Sequence, residues 1–323
     1  MKEKLKSLLS LSLTNKQYLL LALASVYPSF IWYLLVQAYS PWWLENLVAT
    51  PFIIIPLYFV SPFILYLLGS KKLFFGLLIN LFIALSFNGD FYNNGTECYE
   101  GDSVFQFNMK YDEKNLNLLG NFLIKQRYDF VALHEVSPVA RQFLLNKLIP
   151  YYPYFISGVN QQLSIETDQL ILSTHPLKNN KYQTNEDSSY LISMQWKLAN
   201  ELVEVMVLHP PSPRTEPLWR KRNQTLYQLQ RKIHQTKGDR ILIIGDLNIS
   251  NHSTRLKQIT KNLISKHINS WPNHPLIPQI LGYSIDQVWL SQPGRICSKR
   301  SIKKLNYSDH YAIETKIYWS KNH

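Results

Sequence analysis

The chain has 323 residues, with 34 Lys and Arg against 22 Asp and Glu and a formal charge of +12. That length is room for one sizeable domain or two small ones. The two cysteines, Cys98 and Cys297, lack metal-finger spacing, which excludes a zinc-finger class.

The first ninety or so residues differ from the rest. No side chain from Tyr18 to Tyr39 is charged, about the length a membrane-spanning helix requires. A second uncharged run goes from Asn46 to Ser70 and a third, shorter one from Leu73 to Asn88, with Lys71 and Lys72 placed to snorkel. Trp32, Trp42, Trp43 and Tyr66 lie near the ends of these runs, as an interfacial aromatic belt requires. Pro51, Pro56 and Pro62 are tolerated among neighbouring membrane helices. The reading is a membrane anchor of about three transmembrane helices over residues 1–88, a polar linker over 89–102 and a soluble domain over 103–323. Lys2, Lys4, Lys6 and Lys16 precede the first run, and the loop after it carries only Glu45, so the N-terminus is expected in the cytoplasm. Three crossings then put the domain on the outer side; two would leave it in the cytoplasm.

Net charge is +4 up to Phe87, which leaves +8 on the remainder. A basic soluble domain suggests an anionic partner such as nucleic acid, phospholipid headgroups or the membrane surface, with ordinary solubilising charge as the bland alternative. In an oxidising compartment Cys98 and Cys297 could pair and staple the domain's first segment to a late one.

Within the domain, Ser103 to Asn108 alternates as a strand, and Lys114 to Arg127 carries a helical apolar stripe. A buried strand from Asp129 to Leu133 leads into His134 and Glu135, then a helix from Val139 to Leu148. Strands follow at Tyr154 to Ser157, Gln169 to Ser173, Leu191 to Lys197 and Val203 to Leu208, the last ending on His209. Pro210, Pro211 and Pro213 force an extended loop before a helix from Trp219 to Gln235. Ile241 to Ile244 reads as a strand buried on both faces, broken by Gly245, with Asp246 and Asn248 emerging at its mouth. An Asx-turn would explain those two polar residues without chemistry. A helix from Thr254 to Ile264 and strands at Ile285 to Leu290 and Tyr311 to Tyr318 complete the order. Six of these strand boundaries carry groups able to serve a catalyst: Asn108, Glu135, His209, Asp246 with Asn248, Asp286, and Asp309 with His310.

The strings FNMK, LHE, LHPP, GDLN, IDQVW and YSDH resemble the endonuclease/exonuclease/phosphatase family, metal-dependent phosphodiesterases and phosphatases related to DNase I type nucleases and neutral sphingomyelinases. The resemblance covers about Ser103 to Tyr318 in the family's order, with GDxN and SDH its most specific part. The apolar runs, HPPSP, and Arg222-Asn223 are similar to a membrane-anchored bacterial branch, which implies an inner-membrane protein and substrate contacts from Arg222 and Asn223.

The resemblance implies an α/β fold, a four-layer α/β/β/α sandwich of the DNase I-like type with its site at one rim. It implies Glu135 as principal Mg²⁺ ligand (Mn²⁺ as substitute), with Asn108 beside it and Asp309 completing the acidic cluster. Asp246 would deprotonate the attacking water, and Asn248 would hold that water or a phosphate oxygen. His310 would contact the scissile phosphate, paired with Asp286, and His209 would be a second phosphate-binding or acid/base histidine. Three positions depart from the pattern: His134 where Gln is usual, Lys110 where many DNA-cleaving relatives carry an acid, and Gln287 where an aromatic or His often follows the Asp.

The expected activity is therefore metal-assisted hydrolysis of a phosphodiester, with nucleic acid as substrate. A phospholipid, sphingomyelin-type or small phosphoester is the alternative, and a non-catalytic phosphate-binding domain a third reading. No protein partner is implied.

Overall fold

The computed structural model describes residues 101–319 except positions 161–164, 186–187, 199–200, 237, 252 and 280–281, together with Trp42, Trp43, Glu45, Cys98 and Glu100. The chain divides into two compact units, Met1–Asn93 and Asn94–His323, and the sheets and helices described belong to the second. The three uncharged runs lie outside the described residues. Among the described residues no helix is long and apolar enough to cross a membrane.

In chain order the elements are β1 (Asp102–Asn108), α1 (Leu116–Gln126), β2 (Phe130–His134), α2 (Pro138–Leu148), β3 (Tyr154–Ile156), β4 (Val159–Asn160), β5 (Ile165–Glu166) and β6 (Leu170–Ser173). There follow β7 (Leu177–Asn185), β8 (Ser188–Leu198), β9 (Glu201–Leu208), α3 (Glu216–Gln235), β10 (Ile241–Asp246), α4 (Thr254–Ile259), β11 (Leu263–Ile264), β12 (Asp286–Ser291), β13 (Gly294–Ile302) and β14 (Ala312–Trp319). Two six-stranded sheets form, ordered β13-β14-β1-β2-β6-β3 and β11-β12-β10-β9-β8-β7, with β4 and β5 as a separate ribbon.

Strand alternation sorts the apolar residues into three cores. Val104, Phe130, Ala132 and Ile171 of the first sheet meet Trp196, Val205, Leu242, Ile244 and Val288 of the second. On the first sheet's outer face, Phe105, Phe107, Val131 and Leu133 pack against Leu119 and Leu123 of α1 and Leu144 and Leu148 of α2. On the second sheet's outer face, Met206, Ile241 and Ile243 pack against Leu226 and Leu229 of α3 and Leu256 of α4. The layers are thus α/β/β/α, as expected. Local signals agree: Ser137 caps α2, its hydroxyl accepting from Ala140 N at 3.1 Å, with Pro138 at the first helical position.

Three expectations need correction. Gly245 does not break β10; it is a member of the strand, opposite Leu208 and Gln287. Its φ is +149°, and a Cβ there would lie 1.9 Å from Leu208 O, so glycine permits both the backbone angle and the close strand contact. The helix expected to reach Ile264 stops at Ile259, and Leu263–Ile264 instead pairs with β12 as β11. Strands β7 and β13 were not anticipated, because LKNNKYQTN and GRICSKRSI are edge strands whose polar side chains hide the alternation.

Strand direction brings the chemistry to one rim. β1 and β2 are parallel, as are β9 and β10, so their C-terminal ends share an edge of the sandwich. β12 runs antiparallel to β10, β14 to β1, and β6 to β2, so their beginnings lie at that same edge. At the opposite end Cys98 and Cys297 form a disulfide, with Cα atoms 5.5 Å apart and a sequence separation of 199, tying the segment before β1 to β13.

Two outcomes follow from this packing. Gly245→Ala is expected to lower unfolding free energy by roughly 2–4 kcal/mol, read by urea denaturation, because the strand must move away from Leu208 or strain its backbone. Replacing both cysteines by serine is expected to cost about 2–5 kcal/mol in the same assay, since the closed loop is long.

Candidate active site

Each of the strand-end residues lies at this rim. Asn108 is fully buried at the end of β1, and its amide joins the sheets, Nδ2 donating to Glu135 Oε1 and to Asp246 Oδ2 at 3.0 Å each. Glu135 and Asn248 hold left-handed backbones, φ +51° and +49°, which are sparsely populated for such residues and concentrate at functional sites. Asn248 N donates to Asp246 Oδ1 (3.0 Å), and its Nδ2 donates to Pro210 O (2.9 Å), tying the GDLN turn to the proline-rich loop.

Two histidines face one acid. His310 Nδ1 donates to Asp286 Oδ2 at 2.8 Å, and His209 Nδ1 donates to Asp168 Oδ2 at 2.9 Å. Each histidine's other nitrogen, Nε2, then lies 3.8 Å from Asp246 Oδ2. His209 Nε2 is also 3.7 Å from Glu135 Oε1. A carboxylate on Nδ1 fixes the tautomer, so both rings present an Nε2 to the space above Asp246.

The charges follow from burial set against pairing. Burial alone would lower the His209 pKa, but Asp168, then Asp246 and Glu135, raise it to about 10. His310 is likewise opposed by burial and carried by Asp286 and Asp246 to about 9. Burial raises the Asp168 carboxyl, yet His209 outweighs it and brings it to about 2. Asp246 stays above its usual value, through burial first and Asp286 second, against the pull of both histidines. His134 lies under His209 with ring centroids 5.3 Å apart; burial, then His209, lowers it to about 3, so it is neutral.

Asp168 was missed in the sequence, although its signal was the same as the others: a carboxylate ahead of a buried strand, LILS. Tyr111 was missed too; its hydroxyl donates to Asp168 Oδ2 at 3.0 Å. The structure places Arg222, 2% exposed on α3, behind Asn248: Nη1 donates to Asn248 O at 3.2 Å and Nη2 to Asn223 Oδ1 at 2.9 Å. Asp309 stands at the rim with Lys110 Nζ 3.3 Å from its Oδ2.

Among the described residues one group of three acids and histidines offers ligand atoms within 4.8 Å of one another: Asp246, Asp286 and His310. Two acids and an imidazole suit a divalent ion, but Asp286 and His310 are already bonded to each other, and a charged His310 opposes a cation. Glu135 differs. Its hard carboxylate is partly exposed and bonded to the neutral Asn108 amide, a donor set that fits a hard cation.

The profile of the Endonuclease/Exonuclease/phosphatase family matches residues 105–310. The chain belongs to this family. Family members are hydrolases, phosphodiesterases and nucleases that use divalent metals. Among solved structures, D. rerio TDP2 complexed with single strand DNA product is similar at TM-score 0.54 and 16% identity, over 68% of this chain and 99% of that one. The Bacteroides vulgatus endonuclease/exonuclease/phosphatase matches at 0.53 and 16%, over 68% and 100%. Beta toxin from Staphylococcus aureus matches at 0.51 and 16%, over 68% and 99%. At such identity these likenesses show the fold alone. No curated protein matches the chain by sequence.

The His209–Asp168 pair makes a pH prediction. A histidine raised to about 10 contributes stability that is fully present below its unfolded value near 6.5 and is lost as pH rises toward about 10. Asp168→Asn removes the leading support, so His209 is expected to titrate well below about 10 by imidazole NMR. Stability of that variant is then expected to change less between about pH 7 and about pH 10.

Proposed function

We propose that this chain is a membrane-anchored, Mg²⁺-dependent phosphodiesterase acting on nucleic acid. The observation that carries the reading is the convergence of His209 Nε2 and His310 Nε2 on one Asp246 oxygen, at 3.8 Å each. Two cationic donors beside a buried carboxylate seat a phosphate and a water together. Asp246, its carboxyl raised by burial and by Asp286, takes the proton of the attacking water. Asn248 holds that water or a phosphate oxygen. Arg222 keeps Asn248 in place from behind, through its carbonyl, and Asn223 steadies Arg222 by accepting from its guanidinium. His310 and His209 donate to the phosphate oxygens as negative charge grows on them, and their carboxylate partners spare them reorientation during the step.

Glu135, with Asn108 beside it and Asp309 at the rim, would hold Mg²⁺, for which Mn²⁺ can substitute. When bound, the ion polarises the phosphoryl oxygens and neutralises the leaving group. Asp246, Asp286, His209 and His310 are all present, which supports an enzyme over a binding module. The domain's +8 charge and the exposed Arg214, Arg220 and Arg231 support a polyanionic substrate. The single strand DNA bound by D. rerio TDP2 supports it from a relative.

The anchor is supported by the uncharged runs, with the domain on the outer, extracytoplasmic side of a bacterial inner membrane. The Cys98–Cys297 bond supports that side, because thiols pair and stay paired in oxidising compartments.

The test offers plasmid DNA, single-stranded DNA, RNA, a phosphocholine lipid and a bis-aryl phosphodiester to the full-length chain in detergent, with Mg²⁺ or with EDTA. DNA or RNA cleavage that EDTA abolishes is expected. Glu135→Gln and His310→Ala are each expected to lose about 100-fold or more. Turnover of the lipid alone would replace the nucleic-acid reading, and EDTA-resistant turnover would overturn the metal.

A further inference from the structure

Asn108, His209, Asp246, Asp286 and His310 are buried at the rim, yet Tyr111 stands among them 52% exposed. It does so against its own backbone preference. Its φ is +55°, in the left-handed region that a bulky residue rarely adopts and that glycine or asparagine occupies more freely. A hydroxyl wanted only as a donor to Asp168 could sit on a relaxed backbone. A strained backbone that holds an aromatic ring half open to solvent implies a use for the ring itself.

The residue is held at both ends. Tyr111 N donates to Glu135 O at 2.8 Å, and the phenol donates to Asp168 Oδ2 at 3.0 Å. His209 bridges the same two residues, its Nδ1 2.9 Å from Asp168 Oδ2 and its Nε2 3.7 Å from Glu135 Oε1. Tyr111 therefore lies alongside the histidine read as a phosphate donor, and it is fixed before any substrate arrives. In a polynucleotide every phosphate has a base one sugar away, and an aromatic ring beside the phosphate seat is a surface on which that base stacks, whatever its identity. The base must be free to leave its own neighbours, which a single strand allows and a duplex resists.

We propose that the Tyr111 ring seats a nucleobase, so that the site takes a polynucleotide with unpaired bases and stacks one of them beside the scissile phosphate. The proposal rests on the nucleic-acid reading of this site and adds to it a choice of single strand over duplex. Tyr111 is accordingly a specificity-determining residue.

The test uses the full-length chain in detergent with Mg²⁺ and three substrates of equal length. These are oligothymidylate, its duplex with oligoadenylate, and an abasic deoxyribose-phosphate strand of the same charge. The wild type is expected to cleave oligothymidylate with a kcat/KM about tenfold above that for the abasic strand, and faster than the duplex. Tyr111→Gly, which suits the left-handed backbone, is expected to bring the base-to-abasic ratio close to one. Tyr111→Asn suits it too and replaces the glycine variant should that fail to melt cooperatively. Tyr111→Phe keeps the ring and loses the bond to Asp168, so it is expected to slow both strands alike and preserve the ratio. Equal turnover of oligothymidylate and the abasic strand by the wild type would overturn the proposal. So would a ratio that survives loss of the ring, or a duplex cleaved as fast as the single strand. Failure to cleave any of the three would instead overturn the nucleic-acid reading beneath the proposal, and the proposal with it.

Discussion

The site depends on β10 being buried on both faces. Ile241 and Ile243 face the helices while Leu242 and Ile244 face the other sheet, so polar chemistry can appear only where the strand ends. Asp246 is the first polar side chain the strand meets, and it emerges almost fully buried. Gly245 lets it do so, since the bare backbone passes against Leu208 O where a side chain has no room. A carboxylate held this deep is a strong base in waiting, provided that its surroundings supply donors.

Those donors come from both sheets, and they decide between two opposing effects. Burial alone would leave the histidines neutral and protonate the acids. Pairing wins at His209 and His310 because each carries a carboxylate within hydrogen-bond distance as well as the Asp246 charge. Burial wins at His134, whose ring nitrogens meet no hydrogen-bond partner among the described residues and whose neighbour is another histidine. Identical side chains a few ångströms apart are thus neutral in one case and cationic in the others, and the difference is the presence of a partner carboxylate.

Much of this was legible in the residues. The residues at the tips of the branched apolar runs stand at the rim: Asn108, Glu135, His209 and Asp246 come at the C-terminal tips of their strands, and Asp286 opens β12. Asp168 has a like place but lies two residues ahead of a strand that is only four residues long, and it escaped notice. The polar edge strands β7 and β13 were illegible for a physical reason. A strand paired on one side and washed by solvent needs no apolar alternation, so LKNNKYQTN carries none. The resemblance implied Arg222 as a substrate contact; its burial behind Asn248 is a matter of how α3 lies on the second sheet.

The sequence by itself determined the buried strands, the polar residues at their ends and the order of the motifs, because burial imposes composition on a strand and releases it at the tips. Only the tertiary structure decided the partnerships. Asp168 reaches His209 across 41 residues and Asp286 reaches His310 across 24. Lys110 meets Asp309 because β14 returns antiparallel to β1. Whether a strand's beginning or its end arrives at the shared rim depends on the sense of its pairing, and that sense is a property of the assembled sheets.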